Sequence, residues 1–361
     1  MRRLAIAAAF AIAVAGQDSA WPGVLDLDAP EALANVIAKL DTKRVVFIGE
    51  THDRYDHHLN QLEILRRLHQ HDPDLAIGVE YLEQRFQSKV DDYIAGRIGE
   101  REFLRSTEYF KEWGYDYRLY APIFRFAREQ KIPVRALNIP TGLASAISKN
   151  GIQGLPAEQR AQLPKDIEPA EEAYRARLRE AFEAHENEKP GAFEHFVEAQ
   201  LAWDESMAAS AAEYLTAHPE RRMAILAGAG HVAFGSGIPE RLKRRIHASY
   251  AIVLSSGVEA EAHVADFIVL SARQKLPPAG VLGARLEDGR GECRIASVVA
   301  EGAAQQSGLK SGDVLVEVEG EAIKTAADVR LALWEKKPGD RVKVRTRRGR
   351  RVREVEIELK G

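Results

Sequence analysis

Val45-Val46-Phe47-Ile48-Gly49-Glu50-Thr51-His52 is an apolar, β-branched run that stops at a glycine and hands over to an acid and a histidine. Two distant stretches end the same way: Ala76-Ile77-Gly78-Val79-Glu80, and Met223-Ala224-Ile225-Leu226-Ala227-Gly228-Ala229-Gly230-His231. A short apolar run bounded by glycine and polar residues reads as a buried strand of a parallel sheet. In open α/β sheets ligands sit beyond the carboxyl ends of the strands. Glu50, His52, Glu80 and His231 are therefore expected to crowd one edge of one sheet.

Around these runs, from Thr42 to Ser256, strands alternate with amphipathic stretches. Leu59, Leu62, Leu65 and Leu68 place a helix near 56–71, and further helices are expected near 83–95, 123–130, 168–185, 192–217 and 239–245. Val134–Asn138 and Tyr250–Leu254 add a third and a fifth strand. The fold class is α/β, a mainly parallel sheet with helices on both faces. Leu276-Pro277-Pro278-Ala279-Gly280 is a stiff break. The first domain is placed at 24–272 and a second, of strands with one or two helices, at 279–361. At roughly 150 residues per domain, two domains suit the 361 residues.

Residues 1–20 have a different texture. Arg2 and Arg3 precede an apolar stretch from Leu4 to Ala15, with small residues after it. That is the pattern of a secretory signal peptide, with cleavage after Ala15, Gly16 or Ala20. The stretch is too short for a membrane span. The expected location is periplasmic or secreted. A net charge of −3 gives no electrostatic argument for nucleic acid. The single cysteine, Cys293, excludes an intramolecular disulfide and a thiolate-rich metal site.

The strand-end residues suggest two chemistries. His52, Glu80 and His231 could hold a divalent metal such as zinc, or the imidazoles and carboxylates could act as base and orienting acid around a water. His57 and His58 follow within one turn of the next helix and could join them, whereas His69 and His71 suit a helix end. A second cluster lies further on. Tyr109, Phe110, Trp113, Tyr115, Tyr117, Tyr120, Phe124 and Phe126 are close in sequence, and four of the ten tyrosines fall between 109 and 120. Buried tyrosine hydroxyls want partners. The group suits a flat amphipathic ligand, and a tyrosinate holds ferric haem iron. Lys111, Arg118 and Arg125 could meet propionates.

Gly49-Glu50-Thr51-His52, Gly78-Val79-Glu80, Trp113-x-Tyr115-x-Tyr117-x-x-Tyr120-Ala121-Pro122, Ala136-Leu137-Asn138-Ile139-Pro140, Trp203-Asp204-Glu205-Ser206-Met207-Ala208 and Gly228-Ala229-Gly230-His231-Val232-Ala233-Phe234-Gly235 together resemble the ChaN-type haem-binding uptake family. The resemblance implies iron acquisition, haem held through tyrosine, and two haems face to face in a dimer. Tyr117 and Tyr120 are the first choices for the ligand, with Tyr115, Trp113 and Arg118 around them. The lipid-attachment cysteine of the anchored form is missing here. The wider superfamily includes TIKI-type metalloproteases and erythromycin esterases. For those hydrolases the resemblance implies Glu50, His52, Glu80 and His231 as working residues.

The C-terminal stretch is similar to a PDZ domain. Gly280-Val281-Leu282-Gly283-Ala284-Arg285-Leu286 resembles the carboxylate-binding loop and its strand, and Val298-Val299-Ala300-Glu301-Gly302 through Val316-Glu317-Val318-Glu319-Gly320 resembles the core. A peptide would add to an exposed strand edge, its terminal carboxylate on backbone N–H groups of Leu282, Gly283 and Ala284. Leu282, Leu286 and Val329 would line the side-chain pocket. Arg345, Arg347, Arg348, Arg350, Arg351 and Arg353 crowd a hairpin around Gly349, which reads as a solvated turn. Two functions follow: an exported haem-binding protein with a peptide-binding module, or a metal-dependent hydrolase using the strand-end quartet. The expected partners are haem, a peptide carboxy terminus and a second copy of the chain, with no nucleic acid and no transmembrane segment.

Overall fold

The computed structural model describes residues 32–183, 191–257 and 263–361. The signal-peptide expectation for 1–20 lies outside the described residues. By contacts the chain divides into two compact units. The first takes the residues up to Ile98 together with Ala121–Gln274, the second Gly99–Tyr120 together with Lys275–Gly361.

The first unit holds α1 (Leu33–Leu40), β1 (Val45–Glu50), α2 (Tyr55–His71), β2 (Leu75–Glu83) and α3 (Gln87–Ile94). After the 99–120 segment come α6 (Ala121–Gln130), β3 (Val134–Asn138), α7 (Thr141–Asn150), α8 (Ala157–Arg160), α9 (Glu172–Glu183) and α10 (Ala192–Ala217). Then follow β4 (Arg222–Gly228), α11 (Ile238–Arg245), β5 (Tyr250–Ser255) and β6 (Phe267–Val269). The strands form one sheet in the order β3-β2-β4-β1-β5-β6, with every pairing parallel. The α/β expectation holds. Side chains alternate across a strand. Val45 and Phe47 enter a core shared with Met207, Ala211 and Leu215 of α10 and Leu242 of α11. Val46 and Ile48, equally buried, face the opposite side. A sheet covered on both faces needs strands that are apolar throughout, and β1 and β2 are buried along their full length.

Two boundaries move from their sequence-based positions. The helix expected from residue 83 starts at Gln87, because Tyr81 and Leu82 are buried and β2 runs on to Glu83. The helix expected from 168 starts at Glu172, since Pro169 holds the residue before it out of helical geometry.

The second unit holds α4 (Glu100–Ser106) and α5 (Tyr109–Glu112) of the 99–120 segment, followed by its C-terminal elements. These are β7 (Ala284–Gly289), β8 (Glu292–Val298), α12 (Ala303–Gln306), β9 (Val314–Val318), β10 (Glu321–Ala322), α13 (Ala326–Leu333), β11 (Arg341–Arg348) and β12 (Arg351–Glu358). Its sheet is antiparallel in the order β12-β11-β9-β8-β7, with β10 on β9. Val342, Val344 and Thr346 alternate inward along β11. The core gathers Cys293, Ile295, Leu315, Val318, Val342, Val344 and Ile357 under Val329 and Leu333 of α13. Thr325 and Asp328 close a reciprocal capping box at the start of α13. The 99–120 segment falls inside the first domain as the sequence draws it, at 24–272. By contacts it belongs to the C-terminal unit.

Candidate functional site

Sheet order builds the first candidate site. β2, β4 and β1 are neighbours, and Glu50 is in register with Gly228. The carboxyl ends of all three strands therefore meet. Glu50 Oε1 lies 2.6 Å from His52 Nδ1, and Asp204 Oδ1 of α10 lies 2.7 Å from His231 Nδ1. The Nε2 edges of the two rings face the same carboxylate oxygen: Glu80 Oε1 is 3.8 Å from His52 Nε2 and 3.5 Å from His231 Nε2. Glu80 Oε2 accepts the N–H of Gly228 at 2.6 Å. A Cβ on Gly228 would come within 3.0 Å of the His52 ring, so the close approach depends on that glycine. The structure thus brings Glu50, His52, Glu80 and His231 together, with His52 the more open imidazole and His231 nearly buried.

Burial alone would lower the pKa of both rings. For His52 the hydrogen bond to Glu50 and the charge of Glu80 outweigh it and raise the pKa. For His231 the charge of Glu80 and the bond to Asp204 push it up to about 9. Tyr174 donates its hydroxyl to Asp204 Oδ2 at 2.6 Å. Burial, then the Asp204 charge, raises that phenol well above its ordinary range.

His57 and His58 support the loop instead. His57 Nδ1 accepts the N–H of Thr51 at 3.0 Å and Nε2 donates to the Ser256 carbonyl at 2.9 Å. Burial and the nearby Arg54 charge lower its pKa, which keeps the ring neutral for this double role. His58 Nε2 lies 3.1 Å from the His52 carbonyl oxygen. His71 pairs with Asp41, and His69 packs edge-on against Phe126. Beside Asp204, the fully buried Glu205 gathers Arg244 at 2.6 Å, Arg245 at 2.5 Å and Arg241 at 3.3 Å. Arg241 also donates to the Ser236 and Gly237 carbonyls, which fixes the loop after His231. Asp204, Glu205 and Tyr174 carried no assigned role in sequence. Acids within an otherwise apolar helical stretch were the available signal.

Among the described residues no three His, Cys, Asp or Glu side chains are placed to hold a metal ion. The set His52, Glu80 and His231 is right in kind, since each imidazole is oriented through Nδ1 by a carboxylate, as in many metal sites.

The tyrosines lie in the other unit. Tyr117 is fully buried, donates to Glu100 Oε1 at 2.9 Å, and packs edge-on against Tyr109 and Trp334. Tyr120 is fully buried and accepts from Trp113 Nε1 at 3.1 Å. Tyr115 is 37% exposed, its ring 5.6 Å from that of Trp113. Arg118 is held by Asp116 and donates to the Pro277 carbonyl at 2.8 Å. Lys111 lies between Glu108 and Glu112. Iron held by a phenolate needs an oxygen it can reach. In this segment Tyr115, beside Trp113, is the partly exposed tyrosine, whereas Tyr117 and Tyr120 are fully buried with their hydroxyls hydrogen-bonded.

At the carboxyl-terminal end, β7 is the outer strand of its sheet and largely exposed. Gly283 has φ +67°, in the left-handed region that favours glycine. Leu282 and Val329 are buried, Ala284 and Leu286 pack at the edge of the same core, and Ala326 N–H donates to Asp288 Oδ1 at 2.7 Å between α13 and β7.

Comparison with known proteins fits this layout. Residues 36–242 match the family described as haem-binding uptake, Tiki superfamily, ChaN, and residues 280–359 match the PDZ domain. The ChaN of Campylobacter jejuni, solved with cofacial haem, is 18% identical with a TM-score of 0.54, over 66% of this chain and 91% of that one. An open-state variant of the erythromycin esterase EreC is 15% identical over 62% of this chain and 72% of that one, with a TM-score of 0.39. A serine endoprotease of Yersinia pestis is 22% identical over 23% of this chain and 29% of that one, with a TM-score of 0.21. No curated protein sequence matches the chain. No helix among the described residues is long and apolar enough to cross a membrane. The chain belongs to the ChaN haem-binding uptake family of the Tiki superfamily and carries a PDZ domain after it.

Proposed function

We propose that this protein is exported, binds haem with Tyr115 as the iron ligand and Trp113 beside it, and takes a peptide carboxy terminus on the edge of β7. The exposure of Tyr115 within the tyrosine-rich segment of a haem-binding family carries the reading. Haem brings a ferric iron whose axial position a phenolate fills. The Arg2–Ala15 pattern supports export. Haemin titration followed by visible absorption tests the ligand. A saturable shift is expected, weakened about tenfold or more in Tyr115→Phe and kept in Tyr117→Phe and Tyr120→Phe. A Tyr115→Phe protein that titrates like the parent overturns the assignment. Sedimentation of the loaded protein tests for pairing of two chains.

A second reading rests on the two oriented imidazoles around Glu80. His52, Glu80 and His231 would hold a divalent metal such as zinc, which supplies a water acidic enough to attack esters or peptides near neutral pH. Elemental analysis tests it: stoichiometric zinc lost in His231→Ala supports it, and metal-free protein inert towards esters and peptides refutes it.

A further inference from the structure

Helix α13 is buried on two sides. Val329, Ala332 and Leu333 enter the core of the C-terminal unit. Trp334, just past the last turn, instead meets Tyr117 of the 99–120 segment, with ring centroids 5.3 Å apart. Two further links fasten the same segment beside α13. Arg101 and Arg105 of α4 both pair with Glu321 of β10, four residues before Thr325 caps the helix. Arg330 of α13 reaches the Gly114 carbonyl at 3.5 Å. Gly114 directly precedes Tyr115. α13 also meets β7, where Ala326 N–H donates to Asp288 Oδ1 and Leu286 packs against the core that holds Val329, beside the strand edge proposed above for a peptide.

An eight-residue helix moves as a body. A strand added to β7 packs its terminal side chain against Val329 and holds α13 in place. What holds α13 also holds Trp334, Arg330 and the strand β10 before it, and so the segment that presents Tyr115. We propose that peptide occupancy of the groove between β7 and α13 orders residues 99–120 and thereby tightens haem binding at Tyr115. The proposal rests on the haem reading above. Ordering the segment in advance removes part of the entropy that haem binding must otherwise overcome. By linkage, haem tightens peptide binding by the same factor.

The test uses the full chain and an equimolar pool of decapeptides, random inside and ending in Ala, Val, Leu, Ile or Phe, as free acids and as amides. Hydrogen exchange is followed without haemin, and haemin affinity with and without the pool. The free-acid pool is expected to slow exchange in β7, in α13 and in residues 109–119, and to tighten haemin about fivefold. The amide pool is expected to do neither. Glu321→Gln, at a partly exposed position, cuts the Arg101 and Arg105 pairs. It is expected to keep the slowing in β7 and α13 and to weaken it in 109–119, which the Trp334–Tyr117 and Arg330–Gly114 contacts still hold. Slowing confined to β7 and α13 in the parent overturns the coupling, as does free acid acting no differently from amide. Slowing that reaches 109–119 in a protein that gives no spectral shift with haemin upholds the mechanical link and overturns the haem reading instead.

Discussion

His231 sits between two carboxylates inside the protein, and that decides its charge. Its pKa of about 9 lies above the ordinary 6.5, so the folded state holds the proton more tightly than the unfolded chain. The resulting stability is complete below pH 6.5 and is lost as the pH rises through about 9. Urea unfolding at pH 6 and pH 10 should differ by on the order of 3 kcal/mol. Asp204→Asn, which removes one of the charges, should flatten the difference. Glu205→Gln should cost about 3 kcal/mol, because the buried Arg241 then keeps only Glu240, at 3.8 Å, as a counter-charge. Glu50, His52, Glu80 and His231 were legible because each ends a strand-like run, and parallel strands share an end. Asp204 was not legible as a partner, since only the packing of α10 brings it to His231. The tyrosines show the same limit. Sequence counts the hydroxyls, but the Glu100 acceptor of Tyr117 and the Trp113 donor of Tyr120 exist only once the segment has folded.

At the scale of elements, the apolar runs announced β1, β2 and β4 because buried parallel strands leave no room for polar alternation. Their order in the sheet was not announced. The return of β4 between β2 and β1 is what makes Glu80 a neighbour of both imidazoles. Gly228, the last residue of β4, tests that placement. Gly228→Ala would press a methyl on the His52 ring at 3.0 Å, and should disturb the His52 resonance in a proton spectrum while leaving the C-terminal unit's melting unchanged. In that unit the capping box at Thr325 satisfies N–H groups at the start of α13. Thr325→Ala should lower its stability by about 1 kcal/mol in a thermal or urea melt.

For the whole molecule, the break at Leu276–Gly280 marks where the C-terminal sequence begins but not where its contacts end. The hydrophobic pattern could show that residues 109–126 are aromatic, not which partner buries them. Tyr109, Tyr117 and Trp334 pack together, and Glu321 takes two arginines from α4, so the PDZ domain of this chain is completed by a segment that enters from residue 99. A polypeptide of residues 275–361 alone would leave Trp334 and Glu321 facing water. Losing the burial of one large aromatic pair costs about 2–4 kcal/mol. Residues 275–361 should therefore melt at a lower temperature than the same stretch joined through a flexible linker to 99–120. Tryptophan emission should separate the two as well: Trp334 buried against Tyr117 emits to the blue, and in the shorter polypeptide, where it is the one tryptophan, it should emit to the red. Equal melting temperatures and a blue-emitting Trp334 in the shorter polypeptide would mean that the 99–120 segment adds nothing to the domain it packs on.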